Sequence, residues 1–388
     1  MQQLTDSESV TVDQACNRVA MQPARAHVSL PPFSCSAMDG YAVRCEDLGG
    51  SPPPIMKLVG ESLAGHPYEG ELAISECVRI FTGAMLPTGL DCVAIQENCS
   101  VDGTEVRLLE NVSCGANVRP TGHDILKGEP VVETGKVISA FDVGWLAACG
   151  ITHVNVVRKT RVALFSTGDE LADPGNELGR GQIYDANRYA LTQLLNELPV
   201  EIVDLGILPD DPERIERAML QAGDSCDVLL TSGGVSVGDA DFVKDVIRKI
   251  GQLEIWRLNL KPGKPLAFGR IGDALFFGLP GNPVSTIVTF LLMVKPALLA
   301  LSGAESHEPP SFTAILEQPI RHKPGREEYQ RGRLRRIDEQ TLVDVTGDQS
   351  SNRLATFSEA DCLIKIPKTC GDLTVGSSVC VLPFSGLV

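Results

Sequence analysis

Between Lys159 and about Gly303, short unbroken apolar runs alternate with amphipathic stretches. "RVALFST", "VEIVDL" and "DVLLTS" read as strands with both faces buried, while "DANRYALTQLLNEL", "PERIERAMLQAG" and "DFVKDVIRKI" carry apolar residues at helical spacing. Strands and helices in strict alternation predict a doubly wound, mostly parallel α/β domain over residues 159–305. In such sheets ligands bind outside the carboxyl ends of the strands. That rule gathers the turns "STGDE", "LPDDP" and "SGGVSVGDAD" at one end of the sheet.

Outside this region the pattern changes. Thr11 reads as the N-cap of a short helix carrying Val12, Ala15 and Val19, followed by the proline-broken "SLPPFSCSAMDGYAVR". From Cys45 to Ala140 short β-type runs separated by Gly, Pro and Asn predict a β-rich lid domain over 45–140. "SAFDVGWLAACGI" is helical in spacing and "HVNVV" strand-like, so 141–158 returns to the segment 1–44 to complete an N-terminal connecting domain. Beyond Pro310, "FTAILEQPI", "GRLRRI", "TLVDVTG", "DCLIKIP" and "SVCVLP" predict a C-terminal β-barrel or sandwich over 306–388. The expected architecture is therefore a multidomain α/β protein with a central parallel domain.

Composition narrows the function. With 43% hydrophobic and 22% charged residues the chain is an ordinary globular protein rather than a disordered one. A net charge of -16 argues against general nucleic-acid binding, since phosphate backbones are attracted by clustered cations. Any anionic ligand must find a local basic patch, and "RHKPGREEYQRGRLRR" is one. "TIVTFLLMV", the longest clearly apolar run, stops at Lys295, short of the roughly 20 residues of a membrane span. The N-terminus lacks the basic and apolar regions of a secretory signal. The 12 cysteines contain no C-x-x-C pair and read as reduced, mostly buried thiols, which points to the cytoplasm.

The glycines of "TSGGVSVGDADF" suit a phosphate cradle, yet Asp239 and Asp241 follow at once. Carboxylates beside phosphate imply a divalent cation between them, with Glu170, Asp210 and Asp241 ending neighbouring strands. Asp210 and Asp239 also stand where helix N-caps are expected, and that alternative stays open. "LKPGKPLAFG" sets Lys261 and Lys264 around a Pro-Gly turn that can aim both ammonium groups at an oxyanion. "GLPGNPVS" leads into a helix whose first turn offers free N–H groups and the Ser285 hydroxyl, although Asn282 and Pro283 are equally a routine helix start. Asp39 and Asp124 read, on composition alone, as structural loop acids.

These motifs occur in one order: "SAMDGYAV", "FTGAMLPTGLDCVAIQE", "STGDEL", "GQIYDANRYAL", "TSGGVSVGDADF", "LKPGKPLAFG" and "GLPGNPVS". Together they closely resemble the molybdopterin molybdenumtransferases, the MoeA and gephyrin E-domain family, over nearly the whole chain. The resemblance implies insertion of molybdate into adenylylated molybdopterin, with release of AMP and formation of molybdenum cofactor. It implies Mg2+ held by Asp210 and Asp241. It implies catalytic roles for Asp39, Thr82, Asp124, Glu170 and Asp210. Molybdate or substrate contacts fall to Gly233, Gly234, Lys261, Lys264, Pro280, Pro283, Ser285, Arg331 and Ser351. It further implies a homodimer whose cleft is shared between the α/β domain of one subunit and the last domain of the other, with a molybdopterin adenylyltransferase as a further partner. Cys35 departs from the Asn that related sequences commonly carry. The α/β region is also similar to the molybdopterin adenylyltransferases, and gephyrin uses its matching domain as a receptor scaffold. The flanking domains with Arg331, and the retained acids and lysines, favour the transferase over these alternatives.

Overall fold

A computed structural model describes residues 3–49, 55–234, 242–305 and 308–388. The α/β domain is built from β1 (Thr160–Thr167), α1 (Ala186–Asn196), β2 (Val200–Leu208), α2 (Pro212–Ser225), β3 (Val228–Ser232), α3 (Phe242–Ile250), β4 (Gln252–Arg257), β5 (Pro265–Ile271), β6 (Ala274–Leu279) and α4 (Pro283–Thr289). They form a six-stranded sheet in the order β2-β1-β3-β6-β5-β4. β2, β1, β3 and β6 are parallel; β5 pairs antiparallel with β6, and β4 pairs antiparallel with β5 at the edge.

Burial on both faces explains the continuous apolar strands. Leu191 and Leu195 of α1 pack with Val162, Leu164 and Leu230 on one face. Ile215 and Met219 of α2, with Val246 and Ile247 of α3, pack against Ala163, Phe165 and Leu229 on the other. The chain therefore leaves β1 over one face and reaches β3 over the opposite one. Strand order reverses between β1 and β3, and a crevice opens there at the carboxyl ends.

α4 continues through a π-helical turn, Phe290–Val294, into the helix Lys295–Leu301. The resulting Pro283–Leu301 stretch is long and apolar enough by composition to cross a bilayer, with mean hydropathy 2.0. Val284, Val288, Leu291 and Leu298 are buried against the sheet, which makes it a core helix. Lys295, expected to end the apolar run, instead lies inside it and donates from Nζ to the Leu387 carbonyl at 2.6 Å.

In the N-terminal part, Thr11 is followed only by a 3-10 turn, Val12–Gln14, with no side-chain cap. Asn17 takes φ 62°, which ends the turn, so the expected helix through Val19 does not form. Ser7–Thr11 pairs instead with His153–Val157. The helix Ala140–Ala148 is started by a capping box between Ser139 and Asp142. The six-stranded lid sheet includes Gly40–Val43, ahead of the composition change at Cys45. Pro130–Val132 pairs back with Ala24–Arg25 in the N-terminal unit. Arg158 fastens that unit to the α/β domain, donating to both carboxylate oxygens of Asp227 at 2.7 Å.

The last domain is a closed five-strand barrel in which Glu327–Ile337 pairs with both Gln340–Val345 and Cys362–Ile366. The cysteines need one correction. Cys45 and Cys114 form a disulfide across 69 residues of sequence, their Cα atoms 5.2 Å apart. The folded lid brings the turn at Cys45 against the loop carrying Cys114, a proximity that spacing could not show. Cys35, Cys77, Cys92, Cys149, Cys226 and Cys362 are free and buried as expected.

Candidate active site

The crevice between β1 and β3 is lined by turns that glycine makes possible. After Thr167, Gly168 lets the Glu170 carboxylate fold over the backbone; a Cβ there would stand 2.3 Å from Glu170 Oε2. Gly233 and Gly234 follow β3 with φ 89° and 67°. A side chain on Gly234 would meet Val243 at 2.4 Å and Thr167 Oγ1 at 2.8 Å, so the glycine turn sits directly against the end of β1. Asp239 and Asp241 lie outside the described residues.

Asp210 is not a helix cap. Asp211 fills that role for α2, accepting from the Glu213 and Arg214 N–H groups. Asp210 instead faces Asp169 in a reciprocal pair: the Asp169 N–H donates to Asp210 Oδ2 at 3.4 Å, and the Asp210 N–H to Asp169 Oδ1 at 3.2 Å. Asp169, which sequence reasoning passed over in favour of Glu170, thus joins the acidic group. Its place in "STGDE" at the predicted strand end was the available signal. None of Asp169, Glu170 and Asp210 has a Lys or Arg ion partner among the described residues. Their hard oxygen donors fit a magnesium ion that takes its remaining ligands from phosphate and water. Among the described residues no three acids or histidines form a ready-made cage.

Asn187 was also overlooked. Its Nδ2 donates to Ser232 Oγ and to the Gly281 carbonyl, both at 2.7 Å, and clamps the glycine turn to the loop before α4. Thr286 Oγ1 donates to the Pro280 and Asn282 carbonyls and holds the same loop from the helix side. Asn282 is the N-cap by position only, without a side-chain bond, and Pro283 opens the helix. Ser285 is buried.

The helix start offers fewer donors than its sequence suggests. Pro283 has no N–H, and the Val284 N–H donates to the Ser351 carbonyl at 3.1 Å. This contact seats the barrel loop carrying Ser351 on the first turn of α4 within one chain. Leu260–Lys261 adds to it by pairing in parallel with Glu327–Glu328, and Lys261 Nζ lies 2.9 Å from Glu328 Oε1. Main-chain pairing thus joins the α/β domain and the barrel in the same molecule. Lys264 is exposed and has no ion pair among the described residues. Gly263, with φ 111°, brings the lysine turn against Thr289; a Cβ there would stand 2.5 Å from Thr289 Oγ1.

Arg331 is fully buried. Its Nε donates to Thr356 Oγ1 at 2.9 Å, Nη1 to the Gln349 carbonyl, and Nη2 to the Asp348 and Ser350 carbonyls, each at 3.3 Å. Burial pulls the guanidinium down to about 10, against the opposing pull of Asp348 and Glu328, and leaves it charged at neutral pH. Arg331 thus shapes the loop that carries Ser351 rather than presenting a free cation.

Asp39, Thr82 and Asp124 lie elsewhere. Asp39 Oδ1 accepts from both the N–H and the hydroxyl of Thr82 at 2.8 Å. The Thr82 N–H first, then its hydroxyl, hold the Asp39 carboxyl below its usual value. Asp124 lines a cavity of about 370 Å³ with Leu30, Pro31, Cys35, Arg119 and His123. Cys35 is buried in the short strand Cys35–Ser36. Among the described residues no hydrogen bond or ion pair joins this group to the α/β crevice.

Comparison with known proteins decides the family. Models of the MoeA N-terminal region (domain I and II), of a probable molybdopterin binding domain and of the MoeA C-terminal region (domain IV) match residues 1–150, 163–300 and 313–384. A molybdopterin molybdenumtransferase of Haemophilus influenzae is 40% identical, over 99% of this chain and 95% of that protein. The chain belongs to the MoeA family of molybdopterin molybdenumtransferases. Gephyrin of Dictyostelium discoideum is 32% identical over 96% of this chain and 58% of its own length. The crystal structure of a molybdopterin biosynthesis MoeA protein from Pyrococcus horikoshii OT3 superposes with a TM-score of 0.85 at 28% identity, covering 99% of this chain and 96% of that one.

Proposed function

We propose that this MoeA-family chain transfers molybdenum from molybdate to adenylylated molybdopterin, with cleavage of the pyrophosphate bond and departure of AMP. The observation that carries the proposal is a glycine turn packed against the end of β1, where Asp169 and Asp210 face each other with no Lys or Arg ion partner among the described residues, joined through the loop before α4 to the barrel. In this scheme Gly233 and Gly234 bring the backbone close to the phosphates. Asp210 would hold Mg2+ together with Asp241, with Asp169 facing Asp210 and Glu170 on the same turn as Asp169. When bound, magnesium would offset the pyrophosphate charge and polarise the phosphoryl oxygens. Lys261, Lys264 and Ser285 receive the oxyanion, while Pro280 and Pro283 keep the loop before α4 rigid. Arg331 acts through the Ser351 loop.

Asp39, Thr82 and Asp124 enter the scheme through a second copy. Because they share no hydrogen bond with the crevice of their own chain among the described residues, a homodimer in which one lid approaches the partner's crevice would complete the site. A cytoplasmic location suits the activity, and a molybdopterin adenylyltransferase is the class of enzyme that must supply the adenylylated substrate. Incubation of purified protein with adenylylated molybdopterin, molybdate and magnesium should release AMP and form molybdenum cofactor. Absence of AMP in that mixture, or ATP-dependent adenylylation of molybdopterin in its place, would overturn the proposal.

A further inference from the structure

Lys261 and Glu328 are register partners where the lysine turn pairs with the barrel strand Glu327–Ile337. Glu328 is nearly all buried, its side chain 4% exposed, whereas the Lys261 side chain is 50% exposed. Burying a carboxylate is costly unless it is paired and hydrogen-bonded. Glu328 Oε1 meets Lys261 Nζ at 2.9 Å and accepts from Gln330 Nε2 at 2.9 Å. Glu328 Oε2 has no hydrogen-bond partner among the described residues, and His322 Nε2, 3.8 Å away, lies closer to the Arg326 carbonyl at 3.0 Å. The barrel therefore carries an incompletely satisfied buried acid whose one ionic contact at hydrogen-bond distance, among the described residues, is a lysine from another domain.

We propose that Glu328 is a positioning residue that anchors the Lys261 ammonium over the crevice, so that the barrel sets the affinity of the site for its oxyanion. The inference rests on the assignment of Lys261 to the oxyanion made above. A lysine ammonium has three N–H donors. One is held by Glu328, and the others remain for an anion. A free lysine stem must be ordered each time an anion binds, whereas an anchored one is ordered beforehand. The entropy saved corresponds to about a tenfold gain in affinity.

Glu328→Gln keeps the shape and removes the charge that holds Lys261. It should raise the half-saturating molybdate concentration about tenfold while leaving the affinity for adenylylated molybdopterin within about twofold of the parent. The variant should also label faster at Lys261 with an amine-acylating reagent, measured by mass spectrometry on the whole protein. Glu328→Asp keeps the charge but is too short to reach, and should behave alike if anchoring is what matters. Lys261→Ala separates the two levels. If it raises the molybdate requirement while neither Glu328 variant does, the anchoring inference is wrong. If it does not raise that requirement, the oxyanion assignment fails and the affinity role of Glu328 falls with it; unchanged Lys261 labelling in the Glu328 variants refutes the anchor itself.

Discussion

Arg331→Met removes the buried cation around which the loop from Thr346 to Arg353 is wrapped. Methionine is unbranched and fills much of the same space, so the change isolates the guanidinium's hydrogen bonds. The Asp348, Gln349 and Ser350 carbonyls lose their donor, and Thr356 Oγ1 loses its contact with Nε. A hydrogen bond to a charged group contributes about 1.5–3 kcal/mol, and the gross sum is offset by several kcal/mol of guanidinium desolvation. A net loss of about 3 kcal/mol in local loop stability follows, equivalent to roughly 10²-fold in the opening equilibrium. Hydrogen exchange by mass spectrometry should show loss of protection of about that size in the peptide spanning residues 346–353, with β1 and β3 unchanged. AMP release should fall because Ser351 no longer seats against Val284. If activity collapses while the loop keeps its full protection, the guanidinium touches the ligand directly and the positioning argument is refuted.

Asp210→Asn should reduce AMP release severely without altering the circular dichroism spectrum, since Asp211, not Asp210, caps α2; a loss of helix content would contradict the separation of roles. Mixed dimers test the division of the site. Asp39→Asn chains mixed with Asp210→Asn chains should recover activity, whereas Asp210→Asn mixed with Arg331→Met should not, because crevice and barrel loop already meet within one chain; recovery in the second mixture would disprove that arrangement. Asp39 supplies a pH test. Its folded value lies below 3.8, so the interaction with Thr82 is present above that value and is lost as pH falls through the folded one. Thr82→Val keeps the N–H and removes the hydroxyl, so the Asp39 carboxyl should titrate at higher pH by carbon-13 NMR; an unmoved midpoint would exclude the hydroxyl as a cause.

The central sheet was legible in the sequence because both of its faces are buried. Continuous apolar strands and amphipathic helices have distinct periods, and the rule that ligands bind at carboxyl ends brings Glu170, Asp210 and the glycine turn together from pattern alone. The family was legible too, from motifs whose order along the chain is far more specific than any single loop. Local pattern could not say which of two adjacent acids caps a helix. The answer came from backbone geometry, with Asp211 bonded to α2 and Asp210 facing Asp169. Nor could it show that Arg331, basic and in a basic stretch, is buried among carbonyls, or that Lys261 is tied to Glu328. A charged residue reads as exposed until its partner is known, and these partners lie far away in sequence. The disulfide between Cys45 and Cys114 and the meeting of barrel and crevice in one chain have the same origin. Sequence periodicity determines which face of an element is buried, whereas contacts between domains depend on how the finished units pack, and that only the tertiary structure decides.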